Sequence, residues 1–72
     1  MIGTIKWYNA AKGYGFIAPD DGGKDIFIHI SQLEKIGIHQ IIEGMRVEYS
    51  PYNDFGRIAA GNIKLISTPD SV

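Results

Sequence analysis

Asp25-Ile26-Phe27-Ile28-His29-Ile30-Ser31 alternates without a break: Ile26, Ile28 and Ile30 fall on one side of an extended chain, Asp25, Phe27, His29 and Ser31 on the other. The isoleucine side has to be the core, because the opposite choice buries an aspartate and a histidine. Phe27 and His29 are therefore assigned to the outer face of a sheet. The preceding run, Lys12-Gly13-Tyr14-Gly15-Phe16-Ile17-Ala18-Pro19-Asp20, divides in the same way, setting Lys12, Tyr14, Phe16, Ala18 and Asp20 against Gly13, Gly15, Ile17 and Pro19. Charges at both ends of the aromatic row mark it as outward. Between the two runs, Pro19-Asp20-Asp21-Gly22-Gly23-Lys24 is a turn, since Asp bonds its own backbone and Gly supplies positive φ. A hairpin then sets Tyr14, Phe16, Phe27 and His29 side by side on one exposed face with Lys12 at its edge. A soluble monomer seldom exposes such a patch without a use for it.

Working outward, short alternating runs punctuated by turn residues predict strands over Ile2–Asn9, Gly13–Pro19, Asp25–Ile30, Arg46–Pro51 and Arg57–Ile66, the pattern of a small all-β antiparallel barrel or sandwich. Gly13 and Gly15 let the second strand bend and curl the sheet toward closure. Ser31-Gln32-Leu33-Glu34 has capping-box spacing and Gly37 can end a helix, which leaves room for one helical turn between the third and fourth strands. Tyr49 alternates with Val47 and is assigned to the core. Tyr52-Asn53-Asp54-Phe55-Gly56 reads as a second turn, whose two aromatics either cover the barrel end or extend the outer face. In the first strand, an inward Ile5 carries Trp7 inward and leaves Thr4, Lys6 and Tyr8 outside; an outward Trp7 needs a bulge near Lys6. The domain is expected over residues 1–66, with residues 67–72 a polar tail.

Composition narrows the function. The chain has 72 residues, 44% hydrophobic and 21% charged, with no cysteine and two histidines, His29 and His39. That describes one small domain with no disulfide, no thiolate metal site and no room for a wide catalytic cleft or a cofactor cavity. No cofactor or metal is expected. There is no apolar run of the roughly eighteen residues that a membrane helix needs, and no basic-then-apolar leader, so a cytoplasmic protein is expected. Residues 1–19 carry Lys6 and Lys12 without an acid, a local charge of +2, while the remainder sums to −3. The basic end is a local patch. Gly13-x-Gly15-x-x-Ala18 matches a dinucleotide fingerprint, but no helix can follow it into Pro19-Asp20-Asp21-Gly22-Gly23. Asp20, Asp21 and Asp25 lack the spacing of an EF-hand loop. Asp25, His29 and Ser31 are the residue types of a catalytic triad, yet on one strand face neighbours lie about 7 Å apart, too far for direct hydrogen bonds.

Flat rings beside a few cations suit a single-stranded nucleic acid, whose bases stack on the rings while Lys or Arg meets the backbone. The residues that carry this reading also carry a resemblance. Lys6-Trp7-Tyr8-Asn9, Lys12-Gly13-Tyr14-Gly15-Phe16-Ile17 and Asp25-Ile26-Phe27-Ile28-His29 resemble the opening segment and the first and second ribonucleoprotein motifs of the bacterial cold-shock domain family. Glu43-Gly44 and Ala60-Gly61-Asn62-Ile63 extend the likeness to Ile66. It implies a five-stranded antiparallel OB-fold barrel with one short helical turn between strands three and four, binding single-stranded RNA and DNA through its second and third strands. It also implies a monomeric RNA chaperone, with Trp7 moved onto the binding face against strict alternation. By this resemblance Trp7, Phe16, Phe27 and His29 stack bases, joined by Tyr8 and Tyr14, which stand where phenylalanine is usual. Lys6, Lys12 and Arg57 meet phosphates, and Ile30 and Ile38 occupy positions where many members carry aromatics. An RNA-recognition-motif domain has similar motifs in the reverse order and needs two helices. A barrel that binds protein or oligosaccharide would have less need of Lys6 and Lys12.

Overall fold

The apolar halves of the alternating runs meet in one cluster: Ile5, Ile17, Ile26, Ile28, Val47, Tyr49, Ala60 and Ile63 from the strands, with Leu33 and Met45 closing it. Full burial of an Ile or Leu side chain is worth about 1.5–3 kcal/mol, so a domain this small depends on nearly all of them. The computed structural model describes residues 1–69. In chain order they form β1 (Ile2–Asn9), β2 (Tyr14–Pro19), β3 (Ile26–His29), α1 (Ile30–Glu34), β4 (Arg46–Asp54) and β5 (Arg57–Ser67). The strands close into a barrel in the order β1-β2-β3-β5-β4. The five-stranded barrel with a short helix between β3 and β4 is thus the expected fold. Four of its ladders are antiparallel, whereas β3 and β5 meet in parallel, Phe27 opposite Ala59. β5 runs through Ser67, which pairs with Arg46. Residues 70–72 of the expected tail lie outside the described residues.

The β2–β3 turn is held as its residues suggest, with the Gly23 amide donating to Asp21 Oδ1 at 2.9 Å and the Gly22 amide to the Pro19 carbonyl at 3.1 Å. β2 and β3 each start one residue later than expected, at Tyr14 and Ile26, and β5 runs one residue further, to Ser67; two other boundaries change what a side chain does. β3 stops at His29 rather than Ile30, and His29, not Ser31, is the N-cap of α1: its backbone is extended and its ring Nδ1 accepts the Ser31 amide at 3.2 Å. The ring nitrogen lies as many bonds from Cα as the side-chain oxygen of Asn, so it reaches the same amide. α1 ends at Glu34, and the turn after it closes as expected at Gly37, φ 81°, with the Ile38 amide on the Leu33 carbonyl and the Gly37 amide on that of Glu34, each at 3.0 Å. The second boundary is that of β4, which continues past Pro51 to Asp54, so Tyr52 lies in a ladder opposite Ala59 and not in a turn. The hairpin can be that tight because Phe55 and Gly56 both have positive φ, 51° and 89°, the two-residue loop that suits the twist of antiparallel strands.

Arg46 ties three segments together. Its guanidinium donates to both Asp20 carboxylate oxygens, at 3.0 and 2.7 Å, and to Thr4 Oγ1 at 3.0 Å, joining β4, β1 and the end of β2. These hydrogen bonds, with the charge of Arg46 behind them, hold the Asp20 carboxyl below its ordinary value. A carboxylate depressed in the folded state stabilises above its unfolded pKa of about 4 and loses that contribution as pH falls through the folded one. Asp20→Asn is therefore expected to melt below the parent at pH 7 and to converge with it as pH drops under about 4. Melting curves across that range check it. A constant gap at all pH values would assign the loss to something other than the charge.

Candidate nucleic-acid interface

The position of Trp7 is decided by a bulge. Ile5 stands opposite Ile17 and Trp7 opposite Phe16, so Lys6 is an extra residue in β1 and the alternation resets there. Trp7 turns outward, 40% exposed. Tyr8, expected outside, turns inward instead and packs half-buried against the core. The bulge rests on Gly15 across the ladder: a Cβ there would lie 2.3 Å from the Trp7 carbonyl oxygen and 3.0 Å from Tyr8 Cα. Only glycine lets β1 lie this close on β2.

Beyond the bulge the rings form one array across β1, β2 and β3. Register sets Trp7 opposite Phe16, Phe16 opposite Phe27, and Tyr14 opposite His29. Trp7 lies 5.7 Å from Tyr14 and 5.9 Å from Phe16, ring centre to ring centre, and Phe16 lies 6.1 Å from Phe27. Tyr14 stacks on Phe27 at 5.5 Å, and His29 follows at 6.5 Å. The expectation of an exposed Phe27 is corrected by this packing: the ring is on the outer face but only 8% exposed. Its neighbours cover it, and the Arg57 guanidinium sits 3.8 Å from its centre, a cation–π contact. Tyr14 and Phe16 are half-buried by the same crowding.

Of the three expected cations Arg57 touches the array, and two, Lys6 and Arg57, have acidic partners. Lys6 Nζ lies 2.6 Å from Asp25 Oδ2, linking the bulge to the start of β3, and Arg57 Nε lies 3.7 Å from Asp54. Lys12 is exposed on the β1–β2 turn and has no acidic partner among the described residues. That turn is set by Asn9, whose carbonyl takes the Gly13 amide at 2.8 Å and whose side chain takes the Lys12 amide at 3.1 Å.

His29 and Ser31 are in contact, contrary to the separation an extended chain would impose: Nδ1 lies 3.0 Å from Ser31 Oγ because the chain turns into α1 after His29. Since the Ser31 amide can only donate, Nδ1 is its acceptor and the neutral ring carries its proton on Nε2. The exposed ring thus offers a donor at its free nitrogen as well as a π face. Asp25 is engaged with Lys6 at the other end of β3. Ile30 and Ile38 are half-buried and pack against the core, Ile30 with its amide on the Gly13 carbonyl at 2.9 Å. Any contribution of theirs to the face rests on the exposed half of each side chain. Tyr52 is exposed on β4 beside Gly61, and Phe55, left open by sequence, covers nothing and is fully exposed.

Residues 1–66 match the model of the 'Cold-shock' DNA-binding domain. The cold shock protein CspA of Rhizobium meliloti is 44% identical over 64 residues, covering 86% of this chain and 93% of its own length. The cold shock-like protein CspE of Escherichia coli is 43% identical over 61 residues, 85% and 88% of the two chains. The major cold shock protein of Micrococcus luteus is 42% identical over 62 residues, 86% and 92% of the two.

Proposed function

The chain belongs to the cold-shock DNA-binding domain family, and from that premise we propose that it binds single-stranded RNA and DNA and works as an RNA chaperone that prevents or melts weak secondary structure. The observation that supports this is the array of Trp7, Tyr14, Phe16, Phe27 and His29 with Lys6, Lys12 and Arg57 at its margins. Every base has a π face, so stacking accepts any sequence at about 1–3 kcal/mol per base. Trp7 and His29, the most open of the rings, take bases first, with Phe16 and Tyr14 beside them. Arg57 offers a planar cation above Phe27 on which a base can also stack. Capturing the open strand draws a weak hairpin toward its unfolded form by mass action. No helix among the described residues is long and apolar enough to cross a membrane. The reading places the protein in the cytoplasm, as a monomer, in contact with transcripts.

Quenching of Trp7 fluorescence by a pyrimidine oligonucleotide tests the reading. Affinity is expected to fall with salt along a log–log slope of about −2, from roughly 0.7 per neutralised phosphate and the cations named above. Matched duplex DNA is expected to bind poorly, because its bases are already stacked. A slope steeper than about −3, or duplex bound as tightly as single strand, would favour a backbone binder instead. No response to any oligonucleotide would transfer the face to a protein or oligosaccharide ligand.

A further inference from the structure

Phe55 is the least economical residue of the fold. It is fully exposed, so it adds nothing to packing, and its φ of 51° is one that Gly, Asn or Asp adopts at lower cost than a bulky side chain. The turn does not need the ring either, because Asn53 Oδ1 takes the Gly56 amide at 3.0 Å. A strained backbone carrying a free aromatic ring is a reason to look for a ligand. The surroundings say which. Gly56, Arg57 and Ile58 line an open groove of about 620 Å³ together with Asp21, Lys24 and Asp25. Arg57 belongs to both places, since the same side chain that lines this groove lies over Phe27. Lys24 has no acidic partner among the described residues. Arg57 therefore joins the ring array to a groove lined by two cations, Lys24 and Arg57, and two carboxylates, Asp21 and Asp25, with an unused aromatic ring on the turn that borders it.

We infer that Phe55 is an additional stacking platform for one nucleobase, taken by a single strand that passes Phe27 and runs along Arg57 toward the β4–β5 turn, with Arg57 and Lys24 beside its phosphates. The inference rests on the single-strand reading above and extends its footprint at one end.

Phe55→Gly and Phe55→Trp, measured with oligothymidylates of about four and about eight nucleotides, within the span that one barrel of this type covers, test it. Phe55→Gly is expected to leave the affinity for the short strand unchanged and to weaken the long one about fivefold, the low end for one stacked base. Its melting temperature is expected to hold or rise, because glycine relieves the backbone. Phe55→Trp is expected to keep or improve the affinity for the long strand. If the wild type gains affinity with length and Phe55→Gly gains as much, the inference falls and the single-strand reading stands. Equal weakening at both lengths also overturns it, as does loss of wild-type self-association in Phe55→Gly with no change in binding, which would make the ring a contact between copies. If the wild type binds neither length, both readings fall together.

Discussion

Gly15→Ala is expected to lose about 3 kcal/mol of stability or more, the upper end for an overpacked site, through one added methyl group. The Cβ would meet backbone on both sides, 2.3 Å from the Trp7 carbonyl oxygen and 3.0 Å from Tyr8 Cα. Neither atom is the free end of a side chain, so β1 must lift off β2 at the bulge and give up ladder hydrogen bonds. A domain of this size has only about 3–5 kcal/mol to lose, which leaves the variant marginally folded at room temperature. The same movement tilts the Trp7 ring, so binding should suffer in whatever fraction remains folded. Gly22→Ala is the control: the added Cβ meets open space there, at a φ of +82°, and the expected cost is only about 1–2 kcal/mol of left-handed strain. Denaturant unfolding of both variants separates the two mechanisms. A Gly15→Ala protein as stable as its parent would mean that β1 does not approach β2 this closely.

Phe27→Ala is expected to lose stability and affinity together. The ring is nearly buried between Tyr14, Phe16, His29 and the Arg57 guanidinium, and removing a buried phenyl group costs about 3 kcal/mol or more. An outward row by alternation would predict only a modest loss. Affinity should fall by about 1–3 kcal/mol if a base uses the ring, more if Tyr14 loses its support. Phe27→Leu separates the effects, because it keeps most of the apolar space filled, so it costs less stability than Phe27→Ala, and has no π face. Affinity lost in Phe27→Leu, measured by calorimetry on protein shown to be folded, assigns Phe27 a direct stacking role. Affinity retained makes it the floor on which Tyr14 and Arg57 rest, leaving the bases to Trp7, Phe16 and His29.

Alternation along β2 and β3, with a turn of Asp and Gly between them, determined by sequence alone which side of that hairpin is core and that Tyr14, Phe16, Phe27 and His29 share the other. That much is legible because side-chain direction in a strand is a local property and the hairpin turn sets the register. That the fold is all-β was legible for the same reason, repeated over five runs, whereas the choice of a barrel over a sandwich came from the family resemblance. What lay beyond periodicity was every feature that depends on a partner distant in the chain. The bulge at Lys6 is accommodated by Gly15 on the neighbouring strand; alternation alone predicts an inward Trp7, and only the family resemblance turned it outward. Tyr8 was misplaced by the same rule, since a one-residue insertion reverses everything after it. Phe27 points as expected, but exposure depends on what neighbouring elements lay across a face, here Tyr14 from β2 and Arg57 from β5. His29 and Ser31 touch because the chain leaves the strand one residue early. Sequence determined direction, which is set residue by residue by the backbone; tertiary structure decided contact and cover, which need two segments to arrive at one place.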